Sequence, residues 1–197
     1  MTYILGLTGS IGMGKSTTAR MFQDEGCALW DADAAVHRLY SAGGAAVAPM
    51  AAAFADAIED GAVSREALKH IISDDPTALG RIEAIVHPLV AADRATFLNE
   101  TTAEIAVLDI PLLFEGGYDM QTDGTVCVTA PPEVQRARVL ERGTMTEAQL
   151  DKILAKQMPD AEKRARATWV IETDTLEHAR AQVQAVIAAI RQEIAHA

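Results

Sequence analysis

The sequence predicts an α/β fold, a parallel sheet with helices on both faces. Three observations predict it. Short apolar runs without polar alternation recur along the chain, as strands buried on both faces require. Segments with 3.6-residue apolar spacing lie between them. The first apolar run feeds a glycine-rich loop that opens a helix.

The elements follow in order. Tyr3 to Thr8 ("YILGLT") is the first strand, and Lys15 to Glu25 a helix closed by Gly26. Ala28 to Trp30 is a second strand running into "DAD", Asp31 to Asp33. From there to about Glu100 the pattern is helical and alanine-rich, broken at Gly43-Gly44, Gly61 and Asp75-Pro76, with no strand expected. "IAVLDI" (Ile105 to Ile110), "TVCVTA" (Thr125 to Ala130) and "WVIET" (Trp169 to Thr173) are the remaining strands. Pro131-Pro132 opens a helix, which suits the fixed φ of proline at a first turn. Leu176, Ala179, Val183, Val186, Ile187, Ile190 and Ile194 mark one face of the closing helix. The expected organisation is a single domain over 1–197. Its core is 1–33, 101–132 and 167–197, with a helical acceptor lobe inserted at 34–100 and a helical lid at 133–166.

The chain has 197 residues, enough for one substantial core. A net charge of -11 argues against a nucleic-acid binder, which needs a basic footprint. It leaves room for small anionic ligands held by local cations and helix N-termini. The two cysteines, Cys27 and Cys127, have no metal-ligand spacing and are expected to be reduced core thiols. No run of 18 apolar residues suggests a membrane span, and no basic leader precedes the first strand. A cytoplasmic protein with no membrane partner is expected.

The motif that carries most chemistry is "GSIGMGKS", Gly9 to Ser16, a full Gly-x-x-x-x-Gly-Lys-Ser. Gly9, Gly12 and Gly14 allow backbone N–H groups to approach phosphate oxygens, and the following helix adds its positive end. Lys15 reaches the β- and γ-phosphates, and the Ser16 hydroxyl can ligate Mg²⁺. Between a strand and a helix, this motif predicts the P-loop nucleoside triphosphate hydrolase fold. Asp109 ends a strand at the edge where such sheets bind ligands, and is the second expected Mg²⁺ ligand. Asp31 and Asp33 end another strand. Either can take a proton from an acceptor, and either can cap the next helix.

Residues 133–166 hold eight of the 17 lysines and arginines against six acids. A lid carrying arginines over a transferring phosphate has this composition, and so has a solvated helix pair. Arg138 and Arg142, at i and i+4, favour the lid. Asn-Lys-x-Asp, a following Asp-x-x-Gly and Leu-Ser-Gly-Gly-Gln are all missing, which argues against a GTPase switch and a transporter ATPase. A small-molecule kinase remains.

Several strings then fit one family. "GLTGSIGMGKST", "DAD", His87-Pro88, "LDIPLLFE" (Leu108 to Glu115) and "RARVLERG…AQLDKILAKQM" from Arg136, in that order, resemble the dephospho-coenzyme A kinases over nearly the whole chain. The resemblance implies that ATP phosphorylates the 3′-hydroxyl of the dephospho-CoA ribose, with Mg²⁺, giving CoA and ADP. It selects Asp33 as general base. Lys15, Asp33 and Arg142 are then the expected catalytic residues. Gly9, Ile11, Gly12, Met13, Gly14, Lys15, Ser16, Thr17, Arg138 and Arg142 are expected at ATP. Asp33, His87, Leu112 and Leu113 are expected at the acceptor. His87 has a second reading, as the cap of a helix beginning at Pro88. Thr168 and Thr173 stand where the family more often has Asp and Asn, which puts their contacts to adenine in question. Against the kinase stand a nucleoside, nucleotide or shikimate-type kinase and an ATP-binding regulatory module without turnover. Oligomeric state is left open.

Overall fold

The computed structural model describes residues 2–196. Its chain forms two compact units, Met1–Trp30 with Thr101–Ala197, and Asp31–Glu100.

The first unit is built on a five-stranded sheet in the order β2-β5-β1-β6-β7, where β1 is Tyr3–Thr8, β2 Ala28–Asp31, β5 Ile105–Asp109, β6 Gly124–Thr129 and β7 Trp169–Glu172. β1 pairs in parallel with β5 and β6, and β6 in parallel with β7. β5 and β6 are buried along their whole length, which is why they are mostly apolar without polar alternation. Helices α1 (Lys15–Asp24) and α9 (Leu176–His196) pack together and close the core over the sheet. Leu5, Leu7, Phe22, Val126, Ile171 and Val183 are fully enclosed in that core. Leu176 departs from the expected apolar face of α9. It is the first residue of the helix and is 70% exposed.

Three further helices follow β6: α6 (Pro132–Glu141), α7 (Glu147–Leu154) and α8 (Asp160–Arg166). Thr146 caps α7 in a reciprocal capping box with Gln149. Lys163 of α8 has no exposed side-chain surface; its ammonium meets Glu115 at 2.9 Å and the Pro111 carbonyl at 3.4 Å. A mixed-charge run thus contains a buried cation, which a merely solvated helix pair does not explain. Burial raises the Glu115 pKa, but hydrogen bonds from Lys163 and the Met158 N–H outweigh it and leave the carboxyl below its ordinary 4.5. A depressed carboxylate contributes stability above its unfolded value and loses it as pH falls through the folded one. Glu115→Gln is therefore expected to flatten the fall in melting temperature below about pH 4.5, read by thermal melts across pH. An unchanged acid limb would exclude this ion pair as a source of acid sensitivity.

The second unit holds α2 (Ala32–Tyr40), α3 (Val47–Ala53), α4 (Arg65–Asp74) and α5 (Ala78–Glu100). Leu39, Met50, Phe54, Leu68, Ile82 and Val86 form its own core. The expectation of no strand here is corrected by a two-residue hairpin, β3 (Ile58–Glu59) with β4 (Ala62–Val63). Its turn is Asp60-Gly61, both at positive φ (49° and 76°), as a type I′ turn requires. The capping reading of His87 is also corrected. α5 runs unbroken through Pro88, so no helix begins there, and His87 lies exposed in mid-helix.

Candidate active site

The phosphate loop leaves β1 at Thr8 and enters α1 at Lys15. Gly14, the N-cap of α1, has φ 90° and offers no side-chain hydrogen bond to the first turn. By contrast Asp31 caps α2, Ser64 caps α4 and Thr146 caps α7. The first-turn N–H groups of α1 are therefore open to an external anion, the arrangement that holds phosphate. Ser16 and Thr17 are exposed on that turn.

The loop is held from beneath. Gly12 (φ 78°) sits so close to α6 that a Cβ there would lie 2.5 Å from Val139 Cγ2 and 3.0 Å from the Gln135 carbonyl. Gln135, itself buried, donates from Nε2 to the Ile11 carbonyl at 2.7 Å. Met13 is 3% exposed and its sulfur accepts the Ala130 N–H, so this side chain is a strut under the loop; its own N–H donates to the Ser10 carbonyl at 3.2 Å. Gly9 is buried against the Val128 carbonyl. Gly12→Ala combines a clash with left-handed backbone strain. The expected cost is about 2–4 kcal/mol with loss of ATP binding, measured by denaturant unfolding and ATP titration. A variant as stable as the parent would mean that α6 is not tightly seated on the loop.

Parallel pairing places Asp109 opposite Leu7, two residues before Gly9. Its side chain is only 2% exposed, and Lys15 Nζ donates to its Oδ1. The loop lysine and the strand-end acid are thus brought together. Thr8 donates its hydroxyl to the Pro111 carbonyl at 3.0 Å, tying the strand before the loop to the segment after Asp109.

Beside the loop lies a cavity of about 440 Å³ lined by Gly14, Thr17, Arg138, Arg142, Thr173 and Asp174 among others. Arg138, in the last turn of α6, donates from Nη1 to the Thr173 hydroxyl at 2.8 Å and from Nη2 to the Thr173 carbonyl. Arg142, the C-cap of α6, is exposed. Both arginines expected at ATP therefore face the same cavity as Gly14 and Thr17. Asp174, on its rim, is held below the usual carboxylate range by a hydrogen bond from His178 and by the Thr175 N–H.

The other expected residues are distributed as follows. Asp31 Oδ1 accepts the Ala34 N–H as the cap of α2, and Asp33 stands exposed in the first turn of that helix. Of the two leucines expected at the acceptor, Leu112 is 47% exposed while Leu113 is fully buried where a side chain on Gly6 would stand. Leu113 is corrected to a packing residue, since its side chain has no surface to offer a ligand. The question about Thr168 and Thr173 divides. Thr168 precedes β7 and exchanges two hydrogen bonds with Thr125 near the start of β6, at the sheet edge away from the loop. Thr173 follows β7 at the loop edge and lines the cavity. Gln135 and Lys163 are supports that the sequence reasoning did not assign, and Met13 and Thr173, named there for the nucleotide, also have side chains that hold the loop.

A family model for dephospho-CoA kinase matches residues 3–178. The chain belongs to the dephospho-CoA kinase family. A dephospho-CoA kinase of Ruegeria pomeroyi is 69% identical over the full length of both chains. One from Cereibacter sphaeroides is 63% identical over 95% of each. A Thermus thermophilus protein of known structure superposes with a TM-score of 0.86 at 34% identity, covering 95% of this chain and 97% of that one. The fold is likewise that of shikimate kinase from Acinetobacter baumannii, with a TM-score of 0.56 over 98% of this chain and 95% of that one; at 16% identity this likeness concerns the fold alone. The family is one of ATP-dependent kinases, and the sheet, loop and flanking helices are those of the P-loop kinase fold.

Proposed function

We propose that this chain transfers the γ-phosphoryl group of ATP to the 3′-hydroxyl of the dephospho-CoA ribose, giving CoA and ADP, in the cytoplasm. The observation that carries the reading is full-length similarity to dephospho-CoA kinases with an uncapped phosphate loop whose Lys15 meets Asp109. The loop N–H groups and Lys15 bind the β- and γ-phosphates. Arg138 and Arg142 line the cavity for the rest of the nucleotide, and Arg142 is free to reach the transferring group. Asp33 takes the proton from the attacking hydroxyl, and His87 and Leu112 contact the acceptor. Residues 34–100 form the acceptor lobe, and the lid is drawn from 133–166.

The donor set fits Mg²⁺. Ser16 Oγ and a carboxylate oxygen of Asp109 are hard oxygen ligands, and Mg²⁺ in kinases typically takes one or two such protein ligands beside phosphates and water. When bound, the ion neutralises charge on the β- and γ-phosphates. Phosphoryl transfer needs little covalent chemistry from the protein, so positioning and charge are what these residues supply.

The test is ADP release with Mg-ATP against dephospho-CoA, adenosine, AMP, dTMP, shikimate and no acceptor, with mass spectrometry of the product. Turnover confined to dephospho-CoA, with CoA formed, is expected. Activity on another acceptor alone would replace the assigned substrate. ATP binding without turnover on any acceptor would favour a regulatory module.

A further inference from the structure

Thr173 is buried to 8% exposure at the end of β7, and its hydroxyl joins three parts of the nucleotide cavity. Oγ1 donates to the Met13 carbonyl at 2.7 Å, with the Thr129 carbonyl further off at 3.3 Å. The same oxygen accepts Arg138 Nη1 at 2.8 Å. A hydroxyl has one proton and two lone pairs, so it can serve the loop carbonyl and the arginine at once. The side chain also packs under the last glycine of the loop: a Cβ on Gly14 would lie 3.1 Å from its Oγ1 and 3.3 Å from its Cγ2. Arg138 spends two N–H groups on Thr173 and keeps three for a ligand.

We propose that Thr173 is a positioning residue for nucleotide binding, its hydroxyl locking the Arg138 guanidinium to the phosphate loop. It acts through Arg138, and the Met13 carbonyl is the anchor that fixes its hydroxyl to the loop. Without the hydroxyl, Arg138 keeps its bond to the Thr173 carbonyl but can swivel about it, and ATP binding must then restrict that motion. The inference rests on the reading of this cavity as the ATP site, and not on the identity of the acceptor.

The test is a double-mutant cycle read by calorimetric titration of ATP, with Thr173→Val, Arg138→Ala and the pair. Thr173→Val keeps shape and volume and is expected to weaken ATP binding about tenfold, the scale of one lost hydrogen bond to a charged group. The double variant is expected to bind ATP within about twofold of Arg138→Ala alone, because the threonine acts through the arginine. Thr173→Ser is expected to restore affinity to within about threefold of the parent. Thr173→Ala serves as a second hydroxyl-free variant, and thermal melts accompany each titration. Additive effects, failure of serine to rescue, or loss of folding in both hydroxyl-free variants would overturn the inference in favour of plain packing. A parent chain that does not bind ATP would overturn the reading of the cavity itself, and the inference with it.

Discussion

Asp33→Asn is expected to slow phosphoryl transfer to dephospho-CoA by about 10²–10⁴-fold, the range a positioned general base contributes, while leaving ATP affinity nearly unchanged. The two acids of "DAD" have different neighbours. Asp31 is engaged as the cap of α2, its Oδ1 2.9 Å from the Ala34 N–H. Asp33 is exposed in the first helical turn, where its carboxylate is not consumed by the fold. Asparagine preserves its size and removes both the base and the charge. Loss of one charge near a helix N-terminus costs about 0.3–1 kcal/mol, so a large fall in rate cannot be put down to unfolding. Asp31→Asn is the matching control. Asparagine caps as well as aspartate, so this variant is expected to keep its fold and most of its turnover. Steady-state rates for both variants, with ATP titrations, separate the two roles. Near-parental turnover in Asp33→Asn would remove it as the base, and a collapse in Asp31→Asn alone would exchange the assignment.

Much of this architecture was legible in local pattern. β5 and β6 are buried along their whole length and β1 over its last four residues, so they appear as mostly apolar runs without polar alternation. The phosphate loop was legible because its chemistry is contiguous, from Gly9 to Ser16. The hairpin at 58–63 escaped because two-residue strands have no periodicity, although "EDGA" carried an Asp-Gly turn signal. Pro88 misled because proline favours a first helical turn, whereas α5 carries it internally. Leu113 misled because it belongs to the same string as Leu112, and a string does not say which side chain turns inward. The supports of the site were illegible for a different reason. Thr173 meets Met13 across 160 positions, and Lys163 meets Pro111 across 52. Neither has a local signal. Lys163 in particular sits in a run of charges where nothing in sequence marks one lysine as buried.

Lys15→Met is expected to lower kcat/KM by about 10²–10³-fold, the loss typical of one preorganised cationic or hydrogen-bonding group at a developing charge. It should also reduce stability, by about 3 kcal/mol. The two effects have separate origins. The first concerns the phosphates, which lose their lysine. The second concerns Asp109, whose side chain is 2% exposed and whose Oδ1 loses the ammonium it accepts from. Lys15 retains 16% exposure, so the pair is only partly screened by water and the stability loss sits at the lower end for broken buried pairs. Adding Asp109→Asn to Lys15→Met removes the buried charge that lost its ammonium and is expected to recover part of the stability, while activity stays lost. Denaturant midpoints and initial rates for the two single variants and the double variant test this. If the double variant were no more stable than Lys15→Met, the ion pair would not be what stabilises the ligand-free loop. If Lys15→Met kept its turnover, the lysine would serve the fold and not the phosphate. With stability partly recovered and activity absent, the pair is the resting arrangement of the loop, and ATP must draw Lys15 from Asp109 toward its phosphates for catalysis to begin.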